Sequence, residues 1–174
     1  MKGGRPNLAV MEQQQHDWGE AESPFDALGG EAGIRSIVER FYDLIDSDAP
    51  TLRAMLPAND SVSRDKLYAY LVEWTGGPEL YTPERGHPMM RRRHLPFQIG
   101  EEEVETWLAC MGRSLDDNAV NGQIRTFLDE RLTALAWRMQ NVESPPPVDT
   151  HRSESGVKFD VRSDDDGVWH THTD

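Results

Sequence analysis

The stretch RGHPMMRRRHLPFQIGEEEVETW, residues 85–107, decides how the rest of the chain is read. It carries two histidines, His87 and His94, with Arg85, Arg91, Arg92 and Arg93 crowded around them. The whole chain has a formal net charge of -13, so a local block of cations marks a place where one anionic group binds. Pro88 predicts the first residue of a short helix capped at His87, because the missing proline N–H costs nothing there. Pro96 ends that helix, since the residue before a proline is pushed out of the helical region. Glu101, Glu102 and Glu103 suit the first turn of a second helix, where the dipole favours negative charge. Val104, Trp107, Leu108 and Met111 then recur along one apolar face.

Upstream, Gly29-Gly30 breaks a short turn of helix that starts near Ser23-Pro24-Phe25. Ile34, Ile37, Val38, Phe41, Tyr42 and Ile45 follow at helical spacing, so Tyr42 faces inward beside Phe41. Residues 46–58 read as a loop with one tight turn. A helix over 61–74 is expected next, capped by Ser61 or Ser63, with Leu67, Tyr70, Leu71 and Trp74 as its apolar stripe. Gly76-Gly77-Pro78 breaks it, and a loop runs through Leu80 and Tyr81 to Gly86. The helix that opens with the three glutamates runs over 101–115. After a turn at 116–122, a last helix over 122–141 turns Ile124, Leu128, Leu132, Leu135 and Met139 inward. The domain is therefore all-α.

The ends differ in character. Residues 1–24 are polar and patternless, and read as a disordered N-terminal arm holding His16 and Trp18. A loose tail is favoured there over a docking peptide. Residues 143–174 form a Pro-rich linker and an acidic extension. Alternation around an Asp-Gly turn suggests a small hairpin within 148–174, marginal on its own in water. His170 and His172 alternate on one face of it, as two metal ligands would. A loosely docked extension without assigned function is the favoured reading.

With 174 residues the chain fits one domain plus tails. Its 18 basic against 31 acidic residues argue against a general nucleic-acid or anionic-membrane binder. The single cysteine, Cys110, permits no intrachain disulfide and fits a reducing cytosol. No apolar run suits a signal peptide or a membrane span. A soluble, cytoplasmic protein is expected.

Taken in order, Phe41-Tyr42, the run GGPELY at 76–81, RHLPF at 93–97 and Trp107 resemble the group II truncated haemoglobins over roughly residues 25–141. The resemblance implies a truncated-globin two-over-two helical sandwich over 25–142, with haem b as cofactor. It implies His94 as the proximal metal ligand. Spacing alone does not separate His94 from His87, which lies two turns away on nearly the same face. The resemblance makes that choice and leaves His87 as a cap. Arg93 would then meet the haem propionates, with Lys66 and Arg92 as weaker candidates. Leu67, Tyr81, Met90 and Phe97 would wall the porphyrin.

On the other face, Tyr42 matches the family's distal tyrosine and Trp107 the tryptophan over the ligand. Both would donate to bound dioxygen of superoxide character, each worth ~1–3 kcal/mol. Leu56, before Pro57, departs from the aromatic or histidine usual in the family; it packs but cannot donate. Ser63 matches the small residue at the distal gate.

The function implied is tight binding of dioxygen, nitric oxide or another small diatomic. The further partners expected are a reductase that the chain does not identify and a second copy in a homodimer. Two other readings stay open. One is a haem redox enzyme, a nitric oxide dioxygenase or a peroxidase-like activity. The other is a non-haem helical interaction module whose aromatic faces are only core.

Overall fold

A computed structural model describes residues 18–143. The chain up to residue 17, the proline run, the expected hairpin and its two histidines lie outside the described residues.

Among the described residues there are eight helices: α1 Pro24–Ala27, α2 Gly30–Asp48, α3 Pro50–Ala54, α4 Ser61–Trp74, α5 Thr82–Arg85, α6 Met90–His94, α7 Glu101–Asp117 and α8 Gly122–Met139. The long helices form two packed pairs. α2 lies against α4, α7 lies against α8, and α2 also crosses α7, which joins the pairs. This is the two-over-two arrangement the motifs imply.

The inward stripe of α2 decides the core. Ile34, Ile37, Val38, Phe41, Leu44 and Ile45 are all buried, and each such side chain contributes roughly 1.5–3 kcal/mol by leaving water. Val72 of α4, Met111 and Leu115 of α7, and Leu128 and Leu132 of α8 complete it. The α2–α7 crossing also carries a buried polar link. The Ser114 hydroxyl donates to the Ile37 carbonyl at 2.7 Å, which satisfies a group that would otherwise cost free energy where it sits.

Several local expectations are corrected. α6 starts at Met90 rather than Pro88, because Met89 adopts a left-handed conformation, φ 44°, just before it. His87 is thus no helix cap; its Nδ1 only accepts a long, 3.4 Å bond from the Met89 N–H. Neither Ser61 nor Ser63 caps α4. Asp60 holds the cap position, and the Asn59 side chain accepts from the Ser61 N–H at 3.0 Å. The stretch expected as a loop through Gly86 contains the extra turn α5. Trp18, assigned by sequence to the arm, meets Phe127 edge-on with ring centroids 5.1 Å apart.

The α1–α2 junction is set by close approach. Gly29 and Gly30 take φ of 83° and 68° to reverse the chain, which brings the Leu28 carbonyl against α2. A Cβ on Gly33 would stand 1.8 Å from that oxygen, whereas one on Gly112 meets nothing nearer than Arg125 Nη2 at 3.7 Å. Gly33→Ala should therefore cost at least ~2 kcal/mol of unfolding free energy. Gly112→Ala should be neutral or stabilise by up to ~1 kcal/mol. Urea denaturation of the two variants measures both; equal stability would refute the packing argument.

Candidate functional site

The cationic segment and the aromatic pair of α2 belong to different parts of the fold. Phe41, 1% exposed, brings the second of these together. Its ring centroid is 5.2 Å from that of Tyr42 and 5.2 Å from that of Trp107, edge-on to both. Tyr42 is buried at 7% exposure, and Trp107 is half-buried on α7. Neither the Tyr42 hydroxyl nor the Trp107 indole N–H hydrogen-bonds to any described residue. No buried polar side-chain atom is left unsatisfied among the described residues, so both groups reach solvent and present two donors open to an incoming acceptor. Tyr42 is held above the usual tyrosine range, first by burial and then by the nearby Asp60 carboxylate, with the Arg64 guanidinium opposing. Its proton therefore stays on.

His94 ends α6 and is half-buried. Its Nδ1 lies 2.7 Å from the Met90 carbonyl. As a neutral imidazole it donates there and leaves Nε2 with a free lone pair. Nε2 has no hydrogen bond to a described residue. Phe97 follows, its ring centroid 6.4 Å from the imidazole, with 39% of its surface exposed. Met90, Leu56, Ser63 and Leu67 are half-buried; Leu56 and Leu67 pack against the core.

Each cation of the cluster has its own setting. Arg93 donates to the carbonyls of Pro88 at 2.9 Å and Arg85 at 2.8 Å, and its guanidinium lies 5.9 Å from the centroid of the buried Tyr81 ring. Arg91 donates to the Arg138 carbonyl at 2.9 Å. The exposed side chains of Arg92 and Lys66 make no bond to another described residue.

Three positioning residues escaped the sequence reading, because their partners are remote along the chain. Asn141, beyond α8, donates from Nδ2 to the carbonyls of His94 at 3.2 Å and Phe97 at 2.8 Å, while its Oδ1 accepts from the Ile99 N–H at 3.0 Å. Glu73 on α4 accepts from the N–H groups of Tyr81 at 2.9 Å and Thr82 at 2.8 Å, and from the Thr82 hydroxyl. It thereby supplies the N-terminus of α5 with the partner its own sequence lacks. Arg64 on α4 gathers four carboxylates beside Tyr42.

Comparison with known proteins places this geometry in context. The family model described as bacterial-like globin matches residues 23–141. The group 2 truncated hemoglobin YjbI of Bacillus subtilis (strain 168) is 40% identical over 119 residues, covering 68% of this chain and 89% of that one. The crystal structure of the group II truncated hemoglobin from Bacillus anthracis superposes with a TM-score of 0.69 at 42% identity, covering 71% of this chain and 100% of that one. The truncated oxygen-avid haemoglobin from Bacillus subtilis gives a TM-score of 0.66 at 39% identity, with 69% and 100% covered.

The Glu73 latch has a pH signature. Hydrogen bonds from Thr82, its side chain first, hold the Glu73 carboxyl below its ordinary value of 4.5. A folded-state value below the unfolded one means the unfolded chain takes up the proton first. The stabilisation is thus full above pH 4.5 and is lost as the pH falls through the lowered folded-state value. Melting temperature against pH should drop through that acid window in the wild type. Glu73→Gln should be less stable at neutral pH and show a shallower acid limb; parallel curves would remove the latch.

Proposed function

The chain belongs to the bacterial-like globins, of the group II truncated kind, and on that footing we propose that it holds haem b through His94 and binds dioxygen or another small diatomic ligand under Tyr42 and Trp107. The observation that carries this reading is the pair of donors held against Phe41 and without a partner among the described residues. The chemistry of the donor set also fits the group: an imidazole with Nδ1 committed to a carbonyl and Nε2 left over, and half-buried apolar side chains in Leu56, Leu67 and Met90.

Haem, when bound, supplies an iron centre able to hold a diatomic ligand. The rest falls to the protein. The Met90 carbonyl fixes the tautomer and plane of His94, so that Nε2 is the nitrogen offered as ligand. Tyr42 and Trp107 would donate hydrogen bonds toward a ligand that draws negative charge, and Phe41 meets both rings edge-on. Leu56 packs against the core and donates nothing. Ser63, half-buried at the start of α4, is small enough to leave access open. Lys66 and Arg92, with side chains free of other bonds among the described residues, would meet the propionates without breaking an existing bond. Arg93 must first give up two backbone carbonyls. The role suggested is retention of the ligand, for storage, sensing or reaction, rather than rapid release.

Reconstitution with haem should give a Soret band. His94→Ala should abolish ordinary proximal ligation, and His87→Ala should leave it intact. No Soret band in the wild type would end the proposal. Tyr42→Phe and Trp107→Leu should each speed dioxygen dissociation, measured by stopped flow. A loss of ~1–3 kcal/mol per donor corresponds to roughly 5- to 150-fold.

A further inference from the structure

We propose that Arg64 is a positioning residue for Tyr42: pinned by four carboxylates, its guanidinium holds in place the phenol ring to which the reading above gives the ligand hydrogen bond. Arg64 follows Ser63 in the first turn of α4, and its side chain is only 15% exposed. Nη1 donates to the Glu39 carboxylate at 2.7 Å, the Glu39 carbonyl at 3.1 Å and Asp43 at 3.0 Å. Nη2 donates to Asp46 at 3.2 Å, and Nε to the two Asp60 oxygens at 3.1 and 3.2 Å. The guanidinium carbon stands 5.3 Å from the centroid of the Tyr42 ring, within the range of a cation–π contact.

Two features make this more than a surface ion pair. First, the partners surround the cation. Glu39, Asp43 and Asp46 lie along α2, and Asp60 stands at the start of α4. A planar fork of five donors satisfies that set in one orientation, which a lysine point charge cannot do. Second, the network continues. Asp46 also accepts from Arg53 Nε at 2.8 Å, and the other Arg53 nitrogens donate to the carbonyls of Leu56, Pro57 and Ala58 at 3.4, 3.0 and 3.1 Å. The two arginines thus tie α2, α4 and the intervening segment together beside Tyr42. Phe41 meets the Tyr42 ring edge-on and Arg64 lies over it, so the ring is restrained by two neighbours of different kind. Neither contact consumes the hydroxyl, which stays available as a donor.

The test is a double-mutant cycle on the haem-reconstituted full chain, comparing wild type, Arg64→Met, Tyr42→Phe and the double variant. Dioxygen dissociation is read by stopped flow. The C–O stretch of the carbon monoxide complex is read by infrared spectroscopy, as a report on the donor beside the ligand. Arg64→Met should speed dissociation about two- to tenfold and shift the stretch, and both effects should disappear in the Tyr42→Phe background. Arg64→Lys should fall between, and it carries the cycle should Arg64→Met not fold. An Arg64 effect of equal size with and without the Tyr42 hydroxyl overturns the inference. So does a lowered melting temperature with unchanged dissociation and stretch, the signature of a merely structural cluster. A Tyr42→Phe variant that dissociates at the wild-type rate removes the ligand-binding role of Tyr42 itself, a result distinct from an additive cycle.

Discussion

The burial of one ring, Phe41, at the crossing of α2 and α7 underlies the rest of the structure. It is the largest of the side chains almost wholly removed from solvent, and it sits where the two helix pairs are joined. Its edge-on contacts with Tyr42 and Trp107 mean that the packing of the core also sets the spacing of the two donors. Interiors this dense have few alternative arrangements. A change in the core would therefore reach the donors directly.

A second aromatic series runs through other helices. Trp18, Phe127, Trp74, Tyr70 and Tyr81 follow one another at centroid separations of 5.1, 6.0, 6.3 and 5.8 Å, with Arg93 against the last. This series links α8, α4 and the segment before α6. Burial, with Tyr81 adding to it, raises the Tyr70 hydroxyl above its ordinary range, so this stretch too keeps its phenol neutral.

The long helices were legible because one physical signal, apolar spacing of 3.6, specifies both their existence and the face they bury. α2 buries the residues that periodicity picks out, Tyr42 among them. The sequence misled where the deciding interaction was remote or stereochemical. Pro88 looked like a first helical residue, yet the left-handed Met89 delays the helix. Ser61 and Ser63 have the chemistry of caps, but Asn59 reaches the orphan N–H instead. α5 has no apolar period at all; Glu73, nine residues before it, completes it. The candidate site's residues were picked out by type, through the ordered motifs. Its supports, Arg64, Glu73 and Asn141, were not, since no local pattern marks a side chain whose partners lie across the fold.

Those supports explain how His94 is held. α6 has five residues, far too few to be stable as a helix by itself, and four of the five are cations or His94. Local propensity therefore cannot hold the imidazole in one orientation. Three tethers do so instead: the Met90 carbonyl on Nδ1, Asn141 on the carbonyls of His94 and Phe97, and the Glu73 latch on the chain leading in. The Tyr42 and Trp107 rings are set by Phe41 and, for Tyr42, by the Arg64 guanidinium, and the imidazole by hydrogen bonds to irregular backbone. A hydrophobic core is insensitive to pH, whereas a carboxylate latch is not. Both halves of the site lean on carboxylates, Glu73 on the imidazole side and the Arg64 cluster beside Tyr42, while Phe41 between the helix pairs is held by apolar packing.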